Sequence, residues 1–579
     1  IKAKEFYDKA LDIYKRTLNK NHPEYVKVLT KLSKVYYMEG EGRQAKETME
    51  SALSSYEDFI KDYFKALSER EKAKFWNMIR PDFEFYNTLA IQYMNEDKDA
   101  VSKMYNNALL TKALLLNSSI KVRERILNSD DEELKAKYMD WLARKDFLTR
   151  ALAMSDQQLV ENNINPARLT QEVELLEREL SNGSEAFGST LEESKVTWEN
   201  VRNTLKENEV ALEMIRYRHF NHTFTDSIVY AVIYVQNIKS KPIPEVLLIK
   251  NGYDLENKLF RYYKNNIEFR MEDRLSYGNF WEPIVSKVGN LSTLYLSPDG
   301  VYNQINLEAI PTGDGKYVID NSNIILVSNT KDIFLHSLKK AGPEKDALAM
   351  MFGNPIYYSS TTASNKISAL PGTETEVRQL RKLLSDNGFN SDYFTKDEAT
   401  EQQVKALLNP NVLHIATHGF FNPEIKQTSD MELNELTATN NPLLRTGLIL
   451  TGGGDLLDKS AFNYNLENGI LTAYEAMNLN LDQTDLVVLS ACETGLGKLE
   501  IGEGVYGLQR AFMVAGAKTL IMSMFKVDDI ATQKLMVNFY KKWLETGDKR
   551  KSFVDAKKEL RTEYKEPIYW GAFIMMGLD

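Results

Sequence analysis

Apolar and polar positions follow two rhythms along this chain, and the change falls near residue 208. Before it, apolar residues recur every three or four positions, the spacing that lines one face of a helix. After it, short apolar runs alternate with helical stretches. The runs are Ile228–Val235, Val246–Ile249, Leu291–Ser297, Ile324–Val327, Leu348–Phe352, Val412–Ala416, Leu448–Leu450, Leu486–Ser490, Thr519–Ser523 and Phe573–Met576. Helical patterns sit between several of them, at Glu374–Asn387, Glu401–Leu408, Val505–Ala515 and Ala531–Trp543. This alternation predicts an α/β sheet sandwiched by helices. Two stretches, about 217–340 and 345–579, are each expected to form such a layer.

The helical part repeats. Ala3-Lys4-Glu5 returns as Ala45-Lys46-Glu47, Ala10-Leu11 as Ala52-Leu53, and Tyr14 as Tyr56. Between the copies lies a second helical pattern, Pro23 to Met38, ending at Gly40-Glu41-Gly42. Two helices in a period near 42 residues predict a helical solenoid in which small Ala residues let paired helices approach. The pieces Ala-Lys-Glu-x-x-x-x-Ala-Leu, Asn21-His22-Pro23 and Leu32-x-x-Val35-Tyr36-x-x-x-Gly40 resemble tetratricopeptide (TPR) repeats over roughly residues 1–60. That resemblance implies binding of peptides or proteins; a purely structural solenoid is the alternative. A more diverged pair is expected through Phe85–Leu116. The pattern stays helical from about 117 to 216, with a Glu-rich amphipathic stretch at Leu169–Leu180, a loop at Ser184–Thr190 and a helix at Trp198–Glu207.

Composition narrows the class. At 579 residues the chain is too long for one core and predicts three or four units. A net charge of −10 disfavours general binding to nucleic acid or anionic membrane. No run of about 18 apolar residues predicts a transmembrane helix. The first residues carry neither an initiating Met nor an apolar signal core, so the chain reads as a fragment of a longer protein. One cysteine excludes an internal disulfide or a multi-cysteine metal site and suits a reducing, cytoplasmic compartment. No cofactor or metal is expected. By itself, one cysteine reads as an inert, buried hydrophobe.

Its neighbours change that reading. Val412-Leu413-His414-Ile415-Ala416-Thr417-His418-Gly419 and Leu486-Val487-Val488-Leu489-Ser490-Ala491-Cys492 are both apolar strands running into a reactive side chain. Open parallel sheets place their sites at the carboxyl ends of strands. If these two strands are neighbours, His418 and Cys492 emerge at one edge. A thiol of ordinary pKa, about 8.5, is mostly protonated near neutral pH; an imidazole beside it takes that proton and later returns it to a leaving amine. The N–H groups of Gly419 and Cys492 are the candidate oxyanion hole.

At this point a second resemblance emerges. The blocks Ser297-Pro298-Asp299-Gly300, Pro371-Gly372-Thr373, Ala416-Thr417-His418-Gly419, Gly447-Leu448-Ile449-Leu450, Ser490-Ala491-Cys492-Glu493-Thr494-Gly495, Gly502-Glu503-Gly504-Val505, Leu508-Gln509-Arg510-Ala511-Phe512, Val527-Asp528-Asp529 and Tyr569-Trp570-Gly571-Ala572-Phe573 resemble, in order, those of CHAT domains, caspase-like modules that accompany TPRs and are related to caspases and separase. The resemblance spans about 205–579. It implies an α-helical TPR-type solenoid followed by a caspase-like α/β sandwich. The implied division is TPR repeats over 1–116, a helical linker over 117–207, a degenerate caspase-like half over 208–344 and a catalytic half over 345–579. It implies a regulated cysteine endopeptidase with Cys492 and His418 as its dyad and a protein substrate. A protein or ribonucleoprotein activator would bind the TPRs. The setting implied is bacterial defence or cell-death signalling, in which family members pair with gasdermin-like substrates. The competing reading is a non-catalytic TPR scaffold whose caspase-like part only binds.

Other features weigh less. The same resemblance implies that the segment beyond the strand after the nucleophile walls the pocket for the residue before the cut, so Asp528 or Asp529 is a candidate to pair with a basic residue there, or else a helix N-cap. His414 lies four residues before His418; on a strand the two are roughly 13 Å apart and cannot share an ion, so a supporting role is expected. Gly502-x-Gly504-x-x-Gly507 matches a dinucleotide fingerprint but does not directly follow its strand, and reads as a loop into the helix from Val505. Gly452-Gly453-Gly454 reads as a flexible loop. His22, His219, His222 and His336 show no partner pattern. Mobile loops are expected at Phe421–Asn440 and Tyr464–Gly469.

Overall fold

The computed structural model describes residues 2–578 apart from 19–21, 65–66, 128, 153–155, 184–195, 290, 314, 339–346, 361–366, 422–441, 459–468, 493, 496 and 501–503. The expected loops at Ser184–Thr190 and, but for Phe421 and Gly469, at Phe421–Asn440 and Tyr464–Gly469 lie outside the described residues.

The 42-residue repeat builds helices Lys2–Thr17, Pro23–Met38 and Gly42–Tyr63. Pro23 opens the second helix, where its missing N–H costs nothing, and His22 caps it by accepting from the Glu24 N–H at 3.3 Å. Ala45 and Ala52 are fully buried, and a side chain on Gly42 would overlap the Tyr93 ring, so close helix approach explains these small residues. Further helices follow at Glu69–Tyr93, Asp99–Thr111, Leu114–Leu127, Glu132–Leu152, Pro166–Gly183 and Trp198–Thr204. The fourth begins with a Ser68–Glu71 capping box.

Beyond them the strands are β1 (Glu209–Asn221), β2 (Thr223–Gln236), β3 (Glu245–Ile249), β4 (Thr293–Ser297), β5 (Ile324–Leu326), β6 (Leu348–Pro355), β7 (Asn390–Lys396), β8 (Val412–Ala416), β9 (His418–Phe421), β10 (Thr446–Ile449), β11 (Ile470–Thr472), β12 (Leu486–Ser490), β13 (Gly497–Glu500), β14 (Gly504–Gly507), β15 (Thr519–Ser523) and β16 (Phe573–Gly577). An eleven-stranded sheet runs β3-β2-β1-β4-β5-β16-β15-β12-β8-β6-β7. The expected α-then-α/β order holds. The two expected layers, however, are one sheet, joined where β16 lies between β5 and β15. From β15 to β7 the strands are parallel, and β8 and β12 are buried throughout, which is why both read as unbroken apolar runs. Helix Pro371–Asp386 packs on β6 and β7, and against helix Asp529–Thr546.

Several local expectations change. The helical pattern drawn to 216 ends at Thr204, and β1 begins at Glu209. Gly504–Gly507 is a strand paired with β13, so the next helix starts at Leu508, not Val505. Gly453 and Gly454 start helix Gly453–Asp458; a Cβ on Gly453 would come within 2.4 Å of the Gly469 carbonyl, so this is a packed junction, not a slack loop.

The helical part is fastened to the sheet by buried charge. Lys112, just past helix Asp99–Thr111, donates to Glu213 at 2.7 Å and to the Met214 and Ser297 carbonyls, each at 2.9 Å. Glu213 also accepts from the Thr330 N–H at 2.9 Å and hydroxyl at 2.7 Å. A second tie joins Arg123 to Asp482 at 3.1 Å. No helix among the described residues is long and apolar enough to cross a membrane.

Candidate active site

β8 and β12 are direct neighbours, with Ala416 opposite Ser490. His418 and Cys492 each stand two residues past that pair, at one edge of the sheet. Neighbouring strands are about 4.8 Å apart, so the register alone brings the two chain segments together. Gly419 shows how closely: a Cβ there would lie 2.6 Å from the Cys492 carbonyl oxygen and 3.1 Å from Thr494 Cγ2. Only glycine admits this approach.

His418 opens β9, an outer strand of a small sheet ordered β11-β10-β9. The turn between β8 and β9 is pinned by Thr417, whose hydroxyl donates to the Ile449 carbonyl. Tyr357 completes the turn. Its hydroxyl lies 3.0 Å from Thr417 Oγ1, and its ring lies 5.2 Å from the His418 ring. Burial raises the Tyr357 pKa, so this hydroxyl stays protonated. The half-buried His418 imidazole donates through Nε2 to the Ser368 carbonyl at 2.8 Å.

Cys492 is partly exposed at its turn, and its Sγ accepts from the Val527 N–H at 3.5 Å. The two aspartates downstream separate cleanly. Asp528 is exposed and caps helix Asp529–Thr546, accepting from the N–H groups of Ile530 and Ala531 at 3.1 and 3.0 Å. Asp529 is half-buried within electrostatic reach of His418; burial raises its pKa, and the imidazole works against that rise. Its Cβ lies 3.6 Å from where a Cβ on Gly372 would stand, four residues after Ser368.

His414 points into the core. Its Nε2 donates to Glu376 at 2.7 Å and its Nδ1 accepts from the Tyr540 hydroxyl at 3.2 Å. Burial holds the Tyr540 pKa well above its ordinary value, so that hydroxyl keeps its proton and is able to donate. No group of His, Cys, Asp and Glu among the described residues could hold a metal ion. The site residues that the sequence reading missed are Ser368, Tyr357 and Val527. Two of them act through the backbone, which leaves no signature in residue type.

A free thiol and an imidazole set beyond the ends of adjacent parallel strands, behind a helical repeat region, define a two-part class: a repeat module joined to a cysteine–histidine sheet domain. The chain belongs to the CHAT domain family, whose model matches residues 276–578, and a tetratricopeptide repeat model matches residues 1–58. Tetratricopeptide repeat protein 28 of Mus musculus is 23% identical over 300 residues, covering 46% of this chain and 11% of that protein. The Homo sapiens protein of the same name is 23% identical over 285 residues, with the same coverage of 46% and 11%. The chain thus spans about a tenth of the length of the curated relatives it matches. Among solved structures, the Saccharomyces cerevisiae separase–securin complex aligns at TM-score 0.36 and 11% identity, covering 99% of this chain and 48% of that one. The Arg-specific cysteine proteinase gingipain R aligns at TM-score 0.32 and 12% identity, covering 56% and 75%.

Proposed function

We propose that this chain is a cysteine endopeptidase in which Cys492 is the nucleophile and His418 its acid/base partner. The observation that carries this reading is the β8–β12 register, which sets both residues two positions past the Ala416–Ser490 pair with Gly419 against the Cys492 carbonyl. His418 takes the Cys492 thiol proton, the sulfur attacks a peptide carbonyl carbon, and the oxyanion is received by the N–H groups of Gly419 and Cys492. The C–N bond breaks as His418 gives its proton to the leaving amine. Water then attacks the thioester, His418 takes the water's proton, and the C–S bond breaks to restore the thiol.

Asp529, rather than Asp528, pairs with a basic residue before the cut, because Asp528 is committed to its helix cap. A protein or ribonucleoprotein docked on the TPR helices acts as the activator, and the setting is cytoplasmic, in defence or cell-death signalling.

Peptide-library cleavage by wild type, Cys492→Ala and His418→Ala tests the chemistry. Cleavage lost in both variants supports it; cleavage by Cys492→Ala at the wild-type rate sinks it. Substrate trapping with Cys492→Ala in native extract tests the partners.

A further inference from the structure

The segment leaving β15 grips the nucleophile turn. The buried Ser523 hydroxyl donates to the Ala491 carbonyl and accepts from the Thr494 N–H at 3.3 Å. The Ser523 carbonyl accepts from the Gly495 N–H at 2.7 Å, and the Ser523 N–H donates to Thr494 Oγ1 at 3.0 Å. Cys492 is therefore tied down on both sides. Gly495 fits this clasp because a Cβ would stand 2.8 Å from Met524 Sδ and 3.0 Å from the Ser523 carbonyl. The rest of the segment is anchored too. The Met524 N–H donates to the Ala572 carbonyl at 2.7 Å, and Asp528 fastens the far end to the helix it caps. Between these anchors the Val527 N–H meets Cys492 Sγ.

A neutral thiol is a poor acceptor, whereas a charged acceptor roughly doubles the strength of a hydrogen bond. A donor fixed at this place therefore favours the thiolate over the thiol. We infer that Ser523–Asp528 is a thiolate cradle: the Val527 N–H holds the charged sulfur of Cys492, and the Ser523–Thr494 clasp keeps the sulfur within its reach. This rests on the reading of Cys492 as nucleophile and adds Ser523, Thr494 and the Val527 backbone as positioning groups. Among the described residues, the elements that meet at this turn also carry the titratable groups His418 on β9, Tyr357 after β6, and Lys526, Asp528 and Asp529 on the segment and the start of its helix.

Cys492 is the only cysteine, so the rate of alkylation by iodoacetamide against pH, measured on the full chain, reports one thiol. Val527→Pro removes the donor, and its midpoint is expected to rise by about one pH unit, with about tenfold slower alkylation below it. Val527→Ala keeps the N–H and tracks wild type. Ser523→Ala shifts the midpoint in the same direction, and Ser523→Thr restores it. A folded Val527→Pro with the wild-type midpoint overturns the inference. Should Val527→Pro not fold, wild-type midpoints in both Ser523→Ala and Thr494→Val overturn it instead. Peptide cleavage that survives Cys492→Ala would defeat the nucleophile reading whatever the midpoints do. Cleavage lost in Cys492→Ala with unmoved midpoints defeats the cradle alone.

Discussion

The His418 imidazole donates through Nε2 to the Ser368 carbonyl at 2.8 Å. A carbonyl only accepts, so this bond fixes the neutral ring with its proton on Nε2 and leaves Nδ1 as the basic nitrogen. The same oxygen steadies the ring once it is charged. His418→Ala is expected to lower kcat/KM by about 10²–10⁴-fold, the usual share of a general acid–base residue, with little change in Tm because the ring is half-buried. Steady-state kinetics and calorimetry check the pair of outcomes.

Gly419→Ala meets the Cys492 carbonyl at 2.6 Å, a distance no Cβ tolerates. Strand β9 must shift, and His418 with it. A destabilisation of about 1–3 kcal/mol is expected, with loss of activity beyond what stability explains. Urea unfolding beside an activity assay separates the two effects.

The two neighbouring aspartates predict opposite phenotypes. Asp528→Ala should cost about 0.5–2 kcal/mol as a lost N-cap and leave the preference before the cut intact. Asp529→Asn should barely move stability but weaken discrimination in favour of Arg and Lys. Peptide-library profiling decides; an unchanged preference in Asp529→Asn removes that residue from the pocket.

Lys112→Met leaves the buried Glu213 without its cation. Breaking a buried pair from one side costs about 3–5 kcal/mol. The loss should appear as a lower urea midpoint, and limited proteolysis should then cut between the helical part and the sheet, because Lys112 is the knot between them.

Glu401 carries the pH prediction. Burial and the neighbouring Glu475 push its pKa up to about 7, against the pull of Lys405. Between its ordinary value and 7, the folded chain holds a proton that the unfolded chain releases. Its contribution to stability therefore falls as pH rises through that window and is flat above it. Glu401→Gln, relative to wild type, should gain on the order of 2–3 kcal/mol on going from pH 4.5 to pH 8. Parallel denaturation series at the two pH values test the sign.

The sequence was most legible where burial is complete. β8 and β12 show as unbroken apolar runs, and their ends located Cys492 and His418. β1 was misread because it is buried on both faces over its first residues, so no alternation appears, and its Glu213 looks like the polar face of a helix until Lys112 is known to meet it. β7, at the sheet edge, is largely polar and partly exposed, with no apolar run of its own. The Ser368 carbonyl and the Val527 amide were illegible for a different reason. Every residue has the carbonyl and every residue but proline the amide, so only the fold can say which ones matter.

The position of β16 bears on when the sheet around Cys492 is complete. Residues Phe573–Gly577 lie in the middle of the sheet, between β5 and β15, and β15 flanks the strand that carries Cys492. During synthesis, His418 and Cys492 are made before the strand that closes the sheet. Until Gly577 has left the ribosome, β15 lacks one neighbour and Met524 lacks its hold on Ala572. Removal of Phe573–Gly577 is therefore expected to leave β15, the neighbour of the Cys492 strand, exposed along one edge.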